Sequence, residues 1–154
     1  MRVRVFWIGK TRLPGVAALT AEYAKRLGRY CDFEGHELRE AAREARQEAS
    51  GCTAAEEKLL RRSEGTQRVA LDPSGRRWNS EELAGFLRKQ RDGGGRALAF
   101  CLGGADGFSP EFRKQARLLL SLSTFTMPHE LARVVLLEQI YRAWTILAHH
   151  PYPR

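Results

Sequence analysis

Residues 2–8, RVRVFWI, alternate polar and apolar positions and then run apolar, the pattern of a strand entering a buried sheet. Gly9 ends it. Pro14 opens a helix at its first turn, and Leu19, Tyr23 and Leu27 recur at helical spacing to about Tyr30. Residues 33–38 carry a weaker strand pattern. Residues 37–50 are rich in Ala, Arg and Glu without an apolar face, which fits either an exposed helix or a mobile loop. Thr53 and Glu56 stand at capping-box spacing and introduce a short helix through Leu59 and Leu60. Residues 68–71 read as a strand, with turn chemistry in Asp72-Pro73-Ser74-Gly75. Asn79 caps a helix through Leu83, Phe86 and Leu87, and Gly93-Gly94-Gly95 stops it. Residues 97–102 form a continuous apolar run of the kind buried in parallel sheets. Ser109-Pro110-Glu111 then supplies an N-cap, a first-turn proline and an early acid for a further helix.

Strands alternating with helices predict an α/β fold, a mainly parallel sheet with flanking helices. With 154 residues there is material for one self-sufficient core, so a single domain over 1–154 is expected. The last helix, about 130–148, has two adjacent apolar faces: Val134, Leu137, Tyr141, Trp144 and Ala148 on one, and Leu136, Ile140, Ala143 and Leu147 on the other. An arc that wide exceeds what one flank of a sheet requires. It suits the interface of an isologous homodimer, or a helix buried within one subunit.

Composition narrows the function classes. The 26 Lys+Arg outnumber 18 Asp+Glu to give a net charge of +8, which favours a polyphosphate partner such as nucleic acid. The longest apolar runs, 5–8, 97–102 and 134–137, are far shorter than the roughly 18 residues a spanning helix needs. The N-terminus has no signal-peptide pattern, so no membrane contact and a cytoplasmic location are expected. Cys31, Cys52 and Cys101 form no CxxC, and Cys101 reads as a small buried hydrophobe. His36, His129, His149 and His150 lack ligand spacing, so no metal is expected.

Three segments have the makings of a small-molecule cradle. Gly103-Gly104-Ala105-Asp106-Gly107 follows an apolar strand and precedes a helix, letting backbone approach a ligand without Cβ obstruction. It is not a G-x-G-x-x-G, so the dinucleotide fingerprint is absent. The strand end at Leu71-Asp72 is a second position. The third is residues 121–129, a mixed polar and apolar segment between two helices. Ligands of open α/β sheets bind outside the carboxyl ends of strands, where such loops lie.

Seven motifs occur in order along almost the whole chain: Ile8-Gly9-Lys10; Glu22-Tyr23-x-Lys25-Arg26-Leu27-x-Arg29-Tyr30; Leu71-Asp72-x-x-Gly75; Gly103-Gly104-Ala105-Asp106-Gly107; Met127-Pro128-His129; Glu138 to Trp144, EQIYRAW; and His150-Pro151-Tyr152. By these the chain resembles the ribosomal RNA large-subunit methyltransferase H family, minimal members of the SPOUT class of S-adenosylmethionine-dependent RNA methyltransferases. The resemblance implies a SPOUT-type fold with a C-terminal trefoil knot and a homodimer. It also implies methylation of N3 of a pseudouridine in helix 69 of 23S rRNA on the ribosome. Its cofactor positions fall on Leu71, Gly103, Gly104, Ser123, Thr124, Phe125, Thr126, Met127 and Pro128, within the three loops above. Two departures from the family pattern are Pro153, where members often carry histidine, and Arg76, where lysine is usual.

Methyl transfer to that nitrogen requires loss of its proton and stabilisation of the charge that develops. His129 is the candidate base or orienting group, unless its side chain serves only to cap the helix. Arg142 is the candidate clamp on uracil oxygens or a phosphate, unless it is spent in an ion pair with Glu138. Tyr152 and Arg154, in the short tail, are candidates to hold the target nucleotide. The alternative reading is a non-catalytic basic ribosome- or RNA-binding factor, which would show substitutions filling the glycine loop.

Overall fold

The computed structural model describes residues 1–40, 49–95 and 97–153. Among the described residues, five strands and five helices follow one another as β1 (Arg2–Ile8), α1 (Pro14–Leu27), β2 (Asp32–Leu38), α2 (Ala54–Arg62), β3 (Gln67–Arg77), α3 (Ser80–Asp92), β4 (Leu98–Leu102), α4 (Pro110–Lys114), β5 (Leu118–Ser121) and α5 (His129–Leu147). The strands make one sheet in the order β2-β1-β4-β3-β5, with every pairing parallel.

Strand alternation sorts side chains into two cores. Val3, Val5, Val69, Leu98, Phe100 and Leu102 face the layer of α1, α3 and α5, while Phe6, Ile8, Ala70, Ala99 and Cys101 face α2 and α4. β4, in the middle of the sheet, buries all five of its residues, as a strand covered on both faces must. Cys101 is fully buried there, and desolvation pushes its thiol up to about 12.

Local chemistry sets the boundaries. Thr53 and Asn79 each complete a capping box, with Glu56 and Glu82 at the third helical position. Ser109 accepts the Phe112 amide at 3.1 Å and starts α4. That helix is shorter than its start suggested. It stops at Lys114, and Leu118–Ser121 is a strand where the sequence pattern showed only a continuation towards the third loop. A run of leucines fits either state, and here the free edge of β3 takes it as a strand.

The Asp72–Gly75 segment also differs from a simple chain reversal. It is an irregularity within β3: Leu71 and Arg76 both pair with Leu120, so the intervening residues bulge out and the strand resumes. The turn chemistry is real, since Ser74 donates from both N and Oγ to Asp72 Oδ1. Gly75 is needed for a different reason. A Cβ there would lie 2.5 Å from the Leu119 carbonyl carbon, so the backbone of β5 passes directly against it.

Most of the wide apolar arc of α5 is consumed inside the chain. Val134, Leu136, Leu137, Ile140, Ala143 and Trp144 are buried, with α5 packed between α1 and α3. Tyr141, Leu147 and Ala148, the rest of that arc, are only half-buried within the chain. Leu19 of α1, expected on the apolar stripe, is exposed, while Leu27 is buried and Tyr23 packs at the core margin. Of the ambiguous segment 37–50, Glu37 and Leu38 finish β2, and residues 41–48 lie outside the described residues. No helix among the described residues is long and apolar enough to cross a membrane.

Candidate active site

Parallel register places the proposed loops side by side. Ala70 of β3 pairs with Cys101 of β4, and Leu71 pairs with Leu120 of β5. Leu71, the Gly103–Gly107 loop and the segment from Ser121 to Pro128 therefore leave the same carboxyl edge of three adjacent strands. This is the edge where open parallel sheets hold ligands.

The two leading glycines do different things. A Cβ on Gly103 would stand 3.0 Å from the Gly107 carbonyl carbon and 3.2 Å from the Phe108 nitrogen, so that residue closes the loop on itself. The loop is fastened by the Gly107 amide on the Gly104 carbonyl at 3.0 Å, with Gly107 at φ +69. Gly104 instead faces a side chain. Its missing Cβ would fall 2.6 Å from Glu40 Oε2, so a carboxylate from the end of β2 reaches across to the bare Cα.

The far end of the loop is anchored by Glu56, which sequence reading treated only as a capping residue. Its buried carboxylate accepts Ser109 N and Ser109 Oγ, each at 2.7 Å, as well as Thr53 N at 2.9 Å. One side chain thus ties α2 to α4 and holds the glycine loop between them. Gly104, without a Cβ, and the adjacent Glu40 carboxylate fit a ligand bearing a cation or hydroxyls.

The third loop is shaped by its own serines. Ser121 Oγ donates to the Ser123 carbonyl at 3.0 Å, and Phe125 N donates to Ser123 Oγ at 2.9 Å. Thr124, Thr126 and Pro128 are exposed, Met127 is half-buried, and the Phe125 ring is 82% exposed.

His129 is the first residue of α5. The cap position belongs to Pro128, which makes no side-chain hydrogen bond, so His129 is not spent as a capping side chain. Its imidazole lies over Gly9: a Cβ on Gly9, which sits at φ +112, would be 3.5 Å from His129 Nε2. The next residue, Glu130, accepts Arg12 N at 2.7 Å and Leu13 N at 3.2 Å, and these amides hold its carboxyl below the usual carboxylate range.

Arg133, 2% exposed, donates to Thr11 Oγ1 at 2.7 Å, lies 4.4 Å over the Trp7 ring and stands 3.7 Å from Glu130. Burial pulls its pKa down, and its Nε has no hydrogen-bond partner among the described residues. Thr11 N and Oγ1 in turn donate to Glu37 at 3.0 and 2.7 Å. The β1–α1 connection is thus braced by α5 on one side and β2 on the other. The sequence held no local sign of this network, because its partners are as many as 122 residues apart.

The remaining candidates lie elsewhere. Arg142 and Glu138 form the anticipated ion pair, at 2.6 Å. Arg142 Nη1 also donates to the Pro153 carbonyl at 2.6 Å, and its guanidinium covers the Tyr152 ring at 4.6 Å. Tyr152 packs edge-on against Tyr141 and reaches Tyr23 Oη at 3.5 Å, and burial raises its hydroxyl pKa. His150 meets Tyr30 Oη at 2.8 Å. Arg154 lies outside the described residues. From His129 to Arg142 is 13 residues of helix, about 20 Å at 1.5 Å per residue. One chain therefore separates its candidate base and glycine loops from its candidate nucleotide-holding groups.

A family model described as "Predicted SPOUT methyltransferase" matches residues 1–153. The chain is 44% identical to the "Ribosomal RNA large subunit methyltransferase H" of Koribacter versatilis, over 99% of this chain and 97% of that one. It is 43% identical to the protein of the same name from Geotalea uraniireducens, over 99% of each. Among solved structures, the tRNA (m1G37) methyltransferase of Aquifex aeolicus superposes with a TM-score of 0.61 at 17% identity, over 100% of this chain and 75% of that one. A Legionella pneumophila methyltransferase in complex with bound cofactor SAM gives 0.51 at 10% identity, over 93% of this chain and 66% of that one. These two likenesses are of fold.

Proposed function

Because the chain belongs to the ribosomal RNA large subunit methyltransferase H family of SPOUT methyltransferases, we propose that it methylates N3 of a pseudouridine in helix 69 of 23S rRNA, on the ribosome in the cytoplasm. The observation that carries the reading is the convergence of Leu71, the bare Gly104 and the Ser123–Pro128 loop on one sheet edge. S-adenosylmethionine, when bound there, supplies a methyl group already activated by its sulfonium, so the protein contributes chiefly alignment. The Glu40 carboxylate beside Gly104 suits the donor's cationic or hydroxyl groups.

His129 takes or orients the N3 proton at its imidazole, next to the carboxyl edge of β1. Arg142 and Tyr152 hold the target nucleotide, with Arg154 at the end of the same tail. The roughly 20 Å between His129 and Arg142 supports a homodimer in which one copy's tail completes its partner's site. The single domain carries the C-terminal trefoil knot that its match to the SPOUT family over residues 1–153 supports.

The deciding experiment incubates the protein with S-adenosylmethionine and ribosomes lacking the modification, then maps methylated bases by mass spectrometry. The expected result is one methyl on the helix 69 pseudouridine. Donor binding with methyl transfer to another base would overturn the target. Absence of donor binding in calorimetry would leave the non-catalytic ribosome-binding factor as the better reading.

A further inference from the structure

The β1–α1 connection carries two cations with a distinctive setting. Lys10 and Arg12 are exposed, and neither contacts a carboxylate among the described residues. Arg2, Arg4, Arg26, Arg91, Arg113 and Arg142 each reach an acid, whereas Arg29, Arg61, Arg62, Arg88 and Arg117 form no ion pair among the described residues, so what sets Lys10 and Arg12 apart is the braced loop that carries them. The two nearest acids are committed to the loop's own backbone and hydroxyl. Glu37 takes Thr11 N and Oγ1, and Glu130 takes Arg12 N and Leu13 N. Arg133, buried beneath, pairs with Glu130 and donates to Thr11.

Three consecutive amides, Thr11, Arg12 and Leu13, are therefore spent. Those amides are closed to an anion, so an anion at this face meets chiefly the Lys10 and Arg12 side chains. The loop itself is braced from two sides, so its cations sit on a fixed base beside Gly9 and the His129 ring. Phosphate contacts position a nucleic acid without reading its bases. Two exposed cations two residues apart, at most about 7 Å between Cα atoms, can meet neighbouring phosphates of one strand.

We propose that Lys10 and Arg12 form a phosphate-gripping subsite that holds the RNA backbone next to the target nucleotide. This rests on the reading of the protein as an RNA methyltransferase. The loop sets substrate affinity and register, and takes no part in holding the methyl donor or in proton transfer. Glu37, Glu130 and Arg133 are its positioning residues.

The test uses Lys10→Ala, Arg12→Ala and the double variant in the full-length protein. Ribosome KM and kcat, donor Kd and equilibrium RNA binding are measured over a salt series. Both substitutions remove exposed side chains and leave the backbone hydrogen bonds in place. Each single variant is expected to raise KM about five- to tenfold at unchanged kcat and donor Kd, and to flatten the log–log salt dependence of RNA binding by about 0.7–0.9. The double variant should lose about twice that slope, and the charge-keeping Lys10→Arg and Arg12→Lys should retain it. A double variant with the parent's KM and salt slope overturns the proposal, as does a parallel loss of donor affinity, which would assign the loop to the donor. If the parent protein itself transfers no methyl group, the enzymatic reading fails. RNA binding with its salt slope still decides the subsite.

Discussion

The Arg142 guanidinium lies 4.6 Å over the Tyr152 ring while the same side chain donates to the Pro153 carbonyl at 2.6 Å. A residue of α5 thereby fixes the last residues of the chain against the helix that precedes them. Glu138 completes the arrangement by accepting Nε and Nη2 at 3.0 and 2.6 Å. Arg142 is thus both an ion-pair member and the latch of the tail. All three guanidinium nitrogens are thereby engaged within the chain, two by Glu138 and one by the Pro153 carbonyl.

Arg142→Ala should release the tail without touching the glycine loops. Removing a charge-assisted hydrogen bond and a cation–π contact costs the docked tail roughly 2 kcal/mol. Donor affinity is expected to stay at the parent value in calorimetry while methylation falls at least about tenfold. Donor binding lost in step with activity would place Arg142 in support of the donor pocket instead.

Leu137→Glu and Trp144→Glu should unfold the chain. These residues are 0% and 3% exposed within one protomer, so each substitution buries an unpaired charge at a cost of several kcal/mol. The expected outcome is loss of cooperative thermal unfolding and of native circular dichroism. A folded monomer in sedimentation would mean that this face of α5 opens onto a partner after all. The exposed Leu131 and Ile146 are the α5 positions where a charge should be tolerated by the fold.

The sheet's helices and four of its strands were legible because their signals are local: capping boxes at Thr53 and Asn79, Ser109 before Pro110, and the apolar run of β4. β5 was not, because Leu118–Ser121 offers three leucines and a serine with no periodicity to read, and its state is decided by the open edge of β3. The width of the α5 arc was read correctly as surplus for one flank, but α1 and α3 both cover it. The glycines marked the proposed donor loop without revealing that Gly103 closes it on itself while Gly104 faces the Glu40 carboxylate. The Glu130, Arg133 and Glu37 network was invisible, since its members look like ordinary charges on helix and strand.

Acid should loosen the β1–α1 connection. Glu130 is held below its ordinary value by the Arg12 amide first and the Leu13 amide next, and Glu37 by the Thr11 hydroxyl. A depressed folded pKa means that their stabilisation is complete above the unfolded carboxylate value, about 4.3, and is lost as pH falls through the folded one. Urea midpoints measured from pH 7 downwards should hold to about pH 5 and then decline. Glu130→Gln should lower the midpoint at neutral pH and flatten the acid limb. An acid limb unchanged by that substitution would show that other carboxylates govern it.

Gly103 and Gly104 should respond differently to the same substitution. At Gly103 a Cβ would be 3.0 Å from the Gly107 carbonyl carbon and 3.2 Å from Phe108 N, both backbone atoms that cannot yield without opening the loop. At Gly104 the nearest atoms are the Glu40 carboxylate oxygens, at the far end of a flexible side chain that can swing aside. Gly103→Val is therefore expected to lower thermal stability by several degrees, on the scale of about 1–3 kcal/mol for overpacking. Gly104→Val should leave the melting temperature within a degree or two of the parent, while its branched side chain takes up the space proposed for the donor and abolishes donor binding. Calorimetric titration with S-adenosylmethionine beside a thermal melt separates the two effects. Parent-like donor affinity in a folded Gly104→Val protein would remove this loop from the donor site, and equal destabilisation by both variants would show that Glu40 is as fixed as the backbone.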